Sequence, residues 1–571
     1  MRNLFKARYT ETLCYALLAL LLLGLGGYAL QLRAARWHVA GAFLLGYGAL
    51  FLAWALAGLF CARRGLSLGA WAVARLREIP AWLRDLAAFL AERCPQRLEL
   101  AGLALVTLLG LGLRAAFLNQ PMRMDESYTF LYYLNSGRDP FYYVIPNNHV
   151  LHSLLAWLSV ALFGMGPAAI RLPAFLAGVL GIPLAFFTGK AFHKNAGLLA
   201  ALATAVLPYL VLYSSMARGY TLVVLLTLLL FLLGKYYLEK PSAAGCVLIA
   251  FVSALGMLTM PTMLFALAGF YLWLVPALLV RKAGRWAILR DFVLPCGLLT
   301  ALLTVLFYTP TVISSNGAGA IFSNQYVDAR SWADFSRHLL PHFQQTLADF
   351  TRDVPRLVQL AGLLLVLIGL FAVGRRRDWA ALLLLPALLL GGLAVLLAKQ
   401  AIPFARTWIY LIPFPLLFID LGYAWLVERL RPGLRFGLAA LLLLAGGLLA
   451  GRLASSSAIT DYQDTGAFPE AAVVAQYLKP RMTGDEYIVV RDTANYSTFY
   501  YLCYYGAPPQ KKTIDPVTAR RYFVVEKSWY SLKDLTSEPA TPVFEYGDAV
   551  IYTSTGGAAP LFPAFTYTCT P

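Results

Sequence analysis

The stretch Asn148-His-Val-Leu-His-Ser-Leu-Leu-Ala-Trp-Leu-Ser-Val-Ala-Leu-Phe-Gly164 decides how the rest of the chain is read. It is apolar enough to enter a membrane, and it sits at the short limit of the roughly 20 residues that cross about 30 Å of hydrocarbon. Thirteen other apolar runs lie near 12–31, 39–61, 99–118, 168–189, 195–213, 219–236, 243–260, 262–280, 291–309, 357–374, 379–398, 405–427 and 433–452. If 148–164 crosses, every later loop changes side. Lys190/Lys194, Lys235/Lys240, Arg281/Lys282/Arg285/Arg290, Arg375–Arg377 and Arg429/Arg431/Arg435 would then all face outward. If it lies on the surface, all of them share the cytoplasmic side with the Arg-rich 62–98 loop. Basic residues gather in short cytoplasmic loops, so the second reading is the expected one: 148–164 is a juxtamembrane helix at the outer face.

Composition agrees with a polytopic α-helical membrane protein. Of 571 residues, 60% are hydrophobic and 13% charged, which excludes an ordinary soluble domain. The net charge of +18 would suit nucleic acid, but the cations sit between spans rather than on an aromatic-interleaved stripe of a soluble domain, so nucleic acid is not an expected partner. The basic start Met1-Arg-Asn-Leu-Phe-Lys-Ala-Arg8 precedes an apolar run from Leu13 to Leu30, longer than a signal-peptide core. It reads as a retained anchor with its N-terminus in the cytoplasm.

About 13 transmembrane helices then divide the chain into three parts. Residues 1–98 hold two N-terminal helices and a basic loop. Residues 99–452 form a membrane domain with outer loops 119–167 and 310–356. Residues 453–571 form a small extracytoplasmic α/β domain, expected from a helical stretch at 469–478 and short β-like runs at 486–491, 521–526 and 549–552. Of seven cysteines, only Cys503 and Cys569 fall on the outer side, where disulfides persist, and a bridge between them is expected.

The charge count brings Asp125, Glu126, Arg218, Lys399 and Arg406 to one membrane face. Adjacent carboxylates are costly near lipid, so Arg123-Met-Asp-Glu-Ser-Tyr-Thr129 calls for a reason. Four segments in order, Arg123-Met-Asp-Glu-Ser-Tyr128, Pro146-Asn-Asn-His-Val-Leu-His-Ser-Leu-Leu155 with Phe163-Gly164, Arg171-Leu-Pro-Ala-Phe-Leu-Ala-Gly178, and Pro208 followed by Ser214-Ser-Met-Ala-Arg-Gly-Tyr220, resemble the GT-C-fold glycosyltransferases that include protein O-mannosyltransferases (glycosyltransferase family 39) and lipid A aminoarabinose transferases. The resemblance covers roughly 99–430. It implies a GT-C-like membrane domain, a polyprenyl-phosphate-linked sugar donor, and transfer to a glycan, lipid or protein acceptor at the outer face of the cell inner membrane.

The residue chemistry fits that expectation. A sugar on a lipid phosphate is already activated, so the enzyme needs a base for the acceptor hydroxyl and cations for the departing phosphate. Asp125 is the candidate base, with an inverting single displacement. Glu126 is expected to orient the acceptor or help bind a metal; the competing reading is a solvated acidic patch neutralised by Arg123. Arg218 and Arg406 are the donor-phosphate candidates, since Arg offers a charged bidentate fork, with Lys399 a third; basic residues at span ends also simply snorkel. His149 and His152 are i, i+3 on the juxtamembrane helix and would share a face. The sequence makes no cofactor certain; a divalent metal is possible, with Asp125, Glu126 and His149 its candidate ligands. Arg123, Tyr128, Tyr143, His149, His152 and Tyr220 are further substrate-binding candidates, with an interfacial aromatic belt the alternative for the tyrosines. Asn147 or Asn148 would cap the juxtamembrane helix. His338 and His342 belong either to a lid or to an ordinary surface helix. Two other functions stay open on the sequence: a transporter or flippase of lipid-linked sugars, which would place its charges near the midplane, and a non-catalytic GT-C-like binding protein.

Overall fold

The computed structural model describes all residues except 1, 32–40, 42–43, 53, 57–58, 60–67, 95–96, 136–137, 144, 282–283, 316–320, 322–326, 328–329, 510–518 and 555–571. Among the described residues, ten helices are long and apolar enough to cross a membrane, from Thr12–Gln31 to Gly433–Ala454. The three other runs of the thirteen take different forms. The run near 39–61 crosses residues outside those described. The run at 195–213 is broken, because Pro208 has no N–H to continue the ladder and starts a new helix, Pro208–Ser214, after Leu198–Val206. Ala243–Thr259 is helical but short.

A buried arginine holds the break. Arg114, wholly inaccessible near the end of the Arg97–Ala116 helix, donates from Nη1 to the Ala205 carbonyl (2.8 Å) and from Nη2 to that of Thr204 (2.9 Å). Its Nε donates to Ser214 Oγ (3.0 Å). Carbonyls orphaned by the helix end thus find donors in the core, and both halves of the broken helix are tied to one side chain. The second half leads directly to Ala217 and Arg218.

The Val150–Phe163 helix begins and ends at one end of the bundle. Its 14 residues span about 21 Å. His149 before it and Arg171 beyond it both reach residues of one cluster: His149 Nδ1 accepts from Gly219 N (2.7 Å), and Arg171 Nε donates to Glu126 Oε1 (2.8 Å). Between them, Tyr500 of the C-terminal domain donates to the Met165 carbonyl (2.8 Å). The chain therefore leaves and rejoins the same end of the bundle. The helix buries Val150, His152, Ser153, Ala156 and Ser159, and exposes Trp157, Leu158, Leu162 and Phe163.

The ion pairs Lys190–Glu99 (2.7 Å), Arg281–Glu239 (3.1 Å) and Arg376–Glu428 (2.9 Å) lie at the opposite ends of the spans. The basic loops thus gather on one face of the bundle and the acidic motif on the other, as the charge count required.

The C-terminal domain is a four-stranded sheet with two helices. Strands β1 (Tyr487–Val490), β2 (Arg521–Glu526), β3 (Thr541–Tyr546) and β4 (Ala549–Ser554) are ordered β1-β2-β4-β3. β1 and β2 are parallel, the other pairs antiparallel. β3 escaped the sequence reading because it is a largely exposed edge strand with Pro542 and a register shift by Phe544. The helices Ala471–Leu478 and Asp492–Tyr504 pack against the sheet and the acidic motif, where Tyr501 OH accepts from Met122 N (3.0 Å). Cys503 is disulfide-bonded; Cys569 lies outside the described residues.

Candidate active site

The acidic motif forms one and a half helical turns, Met124–Thr129, running into a π-helical turn, Phe130–Leu134. Its two carboxylates point to different places. Asp125 lines a cavity of about 980 Å³ at the end of the bundle away from the basic loops. Its Oδ2 lies 3.9 Å from Arg218 Nη2 and 3.9 Å from Arg406 Nη2, and among the described residues no donor stands within hydrogen-bond distance of its carboxylate. Charge counting put these three residues on one face; the fold brings them into one cavity.

Glu126 turns away and is fully buried. It accepts from Arg171 Nε and Nη2 (2.8 and 2.7 Å), Ala217 N (2.5 Å) and Arg123 N (3.0 Å). Burial alone would push its carboxyl up, but Arg171 and the two backbone donors hold it below the ordinary carboxylate range. The expectation that Glu126 meets the acceptor or a metal is therefore corrected: both oxygens are taken by protein donors. Arg171, quoted in the family segment but given no role, is the missed partner.

Arg123 is also reassigned. It is 2% exposed, and its guanidinium donates to the backbone carbonyls of Ile459, Thr460 and Tyr462, in the connection between the last span and the C-terminal domain. It binds the protein's own backbone rather than substrate or the acidic pair.

The cavity cations are held by neutral acceptors and one further acid. Arg218 donates from Nη1 to Thr129 Oγ1 (3.2 Å) and the Asn147 carbonyl (3.0 Å), and from Nη2 to Asn147 Oδ1 (2.5 Å). Arg406 donates from Nε to Tyr220 OH (2.8 Å) and from Nη1 to Asp464 Oδ1 (2.8 Å). Lys399 is exposed along the cavity wall. Asn147 and Asp464 were missed. The signal for Asp464 was an acid just past the last span, on the side where the charge count put the site.

The two histidines do not share a face. His149 has non-helical dihedrals (φ −96°, ψ 82°) and stands before the helix as its N-cap, the place expected for Asn147 or Asn148. It lines the cavity, with Nε2 3.2 Å from Arg218 Nη2; burial and Arg218 keep it well below the usual histidine range. His152 is wholly buried, and neither ring nitrogen has a hydrogen-bond partner among the described residues. Among the described residues no three potential metal ligands converge. The proposed set of Asp125, Glu126 and His149 does not fit a metal, because Glu126 is committed to Arg171 and His149 Nδ1 to Gly219.

Tyr128, Tyr143 and Tyr220 all reach the cavity. Tyr128 stacks on Tyr132 (centroids 4.2 Å apart) and meets Tyr496 of the C-terminal domain edge-on (5.0 Å). His342 lies on the Trp332–Phe350 helix and accepts from Trp408 Nε1 (2.8 Å), beside the Arg406 turn, whereas His338 pairs with exposed Asp334.

Residues 147–310 match the family described as dolichyl-phosphate-mannose-protein mannosyltransferase. No curated protein sequence matches the chain. The crystal structure of ArnT from Cupriavidus metallidurans in the apo state is similar, with a TM-score of 0.55 at 15% identity, over 79% of this chain and 97% of that one. The same protein bound to undecaprenyl phosphate gives 0.52 at 14% identity, over 80% and 99%. With its helical membrane body and its small C-terminal sheet domain, the chain carries the GT-C fold.

Proposed function

We propose that the cavity transfers one hexosyl or pentosyl unit from a polyprenyl-phosphate donor to an acceptor hydroxyl, with inversion, at the periplasmic face of the inner membrane. The observation that carries this reading is Asp125, a carboxylate with no hydrogen-bond donor among the described residues, 3.9 Å from two guanidiniums in a cavity at the end of the spans away from the basic loops. Similarity to ArnT, whose structure binds undecaprenyl phosphate, supports the donor class. The basic loops on the opposite face support the orientation.

Asp125 takes the proton from the acceptor hydroxyl as its oxygen attacks the anomeric carbon. The bond from that carbon to the phosphate oxygen breaks, and the electron pair stays on the phosphate. Arg218 and Arg406 carry the charge that develops there, an electrostatic contribution held ready before reaction. The tyrosines along the wall offer faces for a sugar ring. A transporter would want its charges near the midplane; here they stand at the span ends.

The test uses the purified protein in vesicles with undecaprenyl-phosphate-linked sugars extracted from the producing cells. Release of undecaprenyl phosphate should depend on acceptor, and Arg218→Ala and Arg406→Ala should each weaken binding of undecaprenyl phosphate at least about tenfold, with Lys restoring only part. Passage of the intact lipid-linked sugar across the vesicle without cleavage would favour the transporter instead.

A further inference from the structure

We infer that Asp464 is the positioning residue that aims Arg406 at the donor phosphate; the inference rests on the glycosyl-transfer reading of the cavity. Asp464 comes from the connection between the last span and the C-terminal domain, which no family segment covers. That connection is fastened against the acidic motif. Arg123 grips three of its carbonyls, and Met124 N donates to the Gly466 carbonyl (2.9 Å). Gly466 adopts φ +70°, the left-handed region that favours glycine. The turn Gln463–Thr465 then presents Asp464 to the cavity.

Both carboxylate oxygens are committed. Oδ1 accepts from Arg406 Nη1 (2.8 Å), whose other contact is the Asp464 carbonyl (3.0 Å), and Oδ2 accepts from Tyr213 OH (2.7 Å). Tyr220 holds Arg406 Nε, and the Phe404 ring lies 4.1 Å from the guanidinium carbon. Three hydrogen bonds thus fix two of the guanidinium nitrogens, and the Phe404 ring covers the guanidinium face. Nη2 is left without an acceptor among the described residues, and it is the nitrogen that faces Asp125. The anchored edge sets orientation, and the open edge is what a phosphate oxygen would meet. Because its oxygens are occupied, Asp464 is not a second base.

An anchor that is also an anion has a distinctive kinetic signature. Removing it frees Arg406 to rotate, which lowers turnover, but it also removes a negative charge from beside an anionic ligand, which favours binding. Asp464→Asn and Asp464→Ala should therefore lower kcat for release of undecaprenyl phosphate about 10–100-fold, while the Kd for undecaprenyl phosphate stays level or falls. Asp464→Glu should recover part of kcat. Wild-type kcat in both variants, or a kcat loss accompanied by a rise in Kd, would overturn the assignment. Asp125→Asn in the same assay separates the two claims. If it retains turnover, the transfer reading of the cavity fails; if it loses turnover while Asp464→Asn does not, only the role of Asp464 fails.

Discussion

The Glu126–Arg171 pair makes the sharpest energetic demand on the fold. Both side chains are wholly buried, and Glu126 receives four hydrogen bonds, two from a guanidinium and two from backbone amides. Glu126→Ala leaves Arg171 charged and uncompensated in the interior, which costs about 3–5 kcal/mol. Glu126→Gln keeps one acceptor oxygen but turns an NH₂ toward donors, so roughly half of the bonds become clashes and the loss is about 2–3 kcal/mol. Replacing the pair together, as Glu126→Leu with Arg171→Met, removes both charges and should recover most of the stability. The pH dependence follows from the depressed carboxyl. A folded value below the unfolded one gives stability that is complete above about pH 4.5 and is lost as pH falls through the folded value. That contribution should vanish in the double variant. Thermal and chaotrope unfolding of the detergent-solubilised protein reads all of this. An alanine variant as stable as wild type, or a double variant less stable than either single one, would refute the reasoning.

Other expectations follow from single contacts. His152 is buried with no partner on either nitrogen among the described residues, and burial, then Arg218, push its ionisation down to about 3. The unfolded chain takes up this proton near pH 6.5, so stability falls below that pH by up to about 1.4 kcal/mol per unit. His152→Met should remove that share of the acid slope and stabilise the fold by about 1 kcal/mol, measured by unfolding between pH 5 and 8; an unchanged slope would contradict it. A Cβ on Gly219 would stand 2.8 Å from Thr259 Cγ2 and 3.0 Å from His149 Cβ, so Gly219→Ala should shift His149 and Arg218 and weaken undecaprenyl phosphate binding about tenfold; wild-type affinity would show that the neighbours yield. A reporter fused at 281–290 should behave as cytoplasmic, and an extracytoplasmic result would mean that the Val150–Phe163 helix crosses.

Much of this architecture was legible in the sequence because it depends on counting. Loop charges separate the two faces, and the acidic motif, Arg218 and Arg406 then share one of them without any structural knowledge. Partner choice was not legible. Glu126 and Asp125 are neighbours in sequence, yet helical rotation sends one to Arg171, 45 residues on, and the other to the cavity. His149 and His152 have helical spacing, but the helix starts one residue after His149, so the shared face does not exist. Asp464 and Asn147 sit in irregular connections whose geometry is set by remote contacts, and the turn at Gly466 carries no periodicity to read. The break at Pro208 could be expected from proline alone; that Arg114 holds it could not.

The central claim is that Asp125 takes the acceptor proton while the arginines hold the donor. Asp125→Asn preserves shape and removes the proton acceptor, so a single-turnover measurement, paired with undecaprenyl phosphate binding on the same preparation, tests it most directly. The account predicts transfer slowed by at least about 10²-fold with binding intact. Transfer at near wild-type rate in a properly folded Asp125→Asn protein would contradict it.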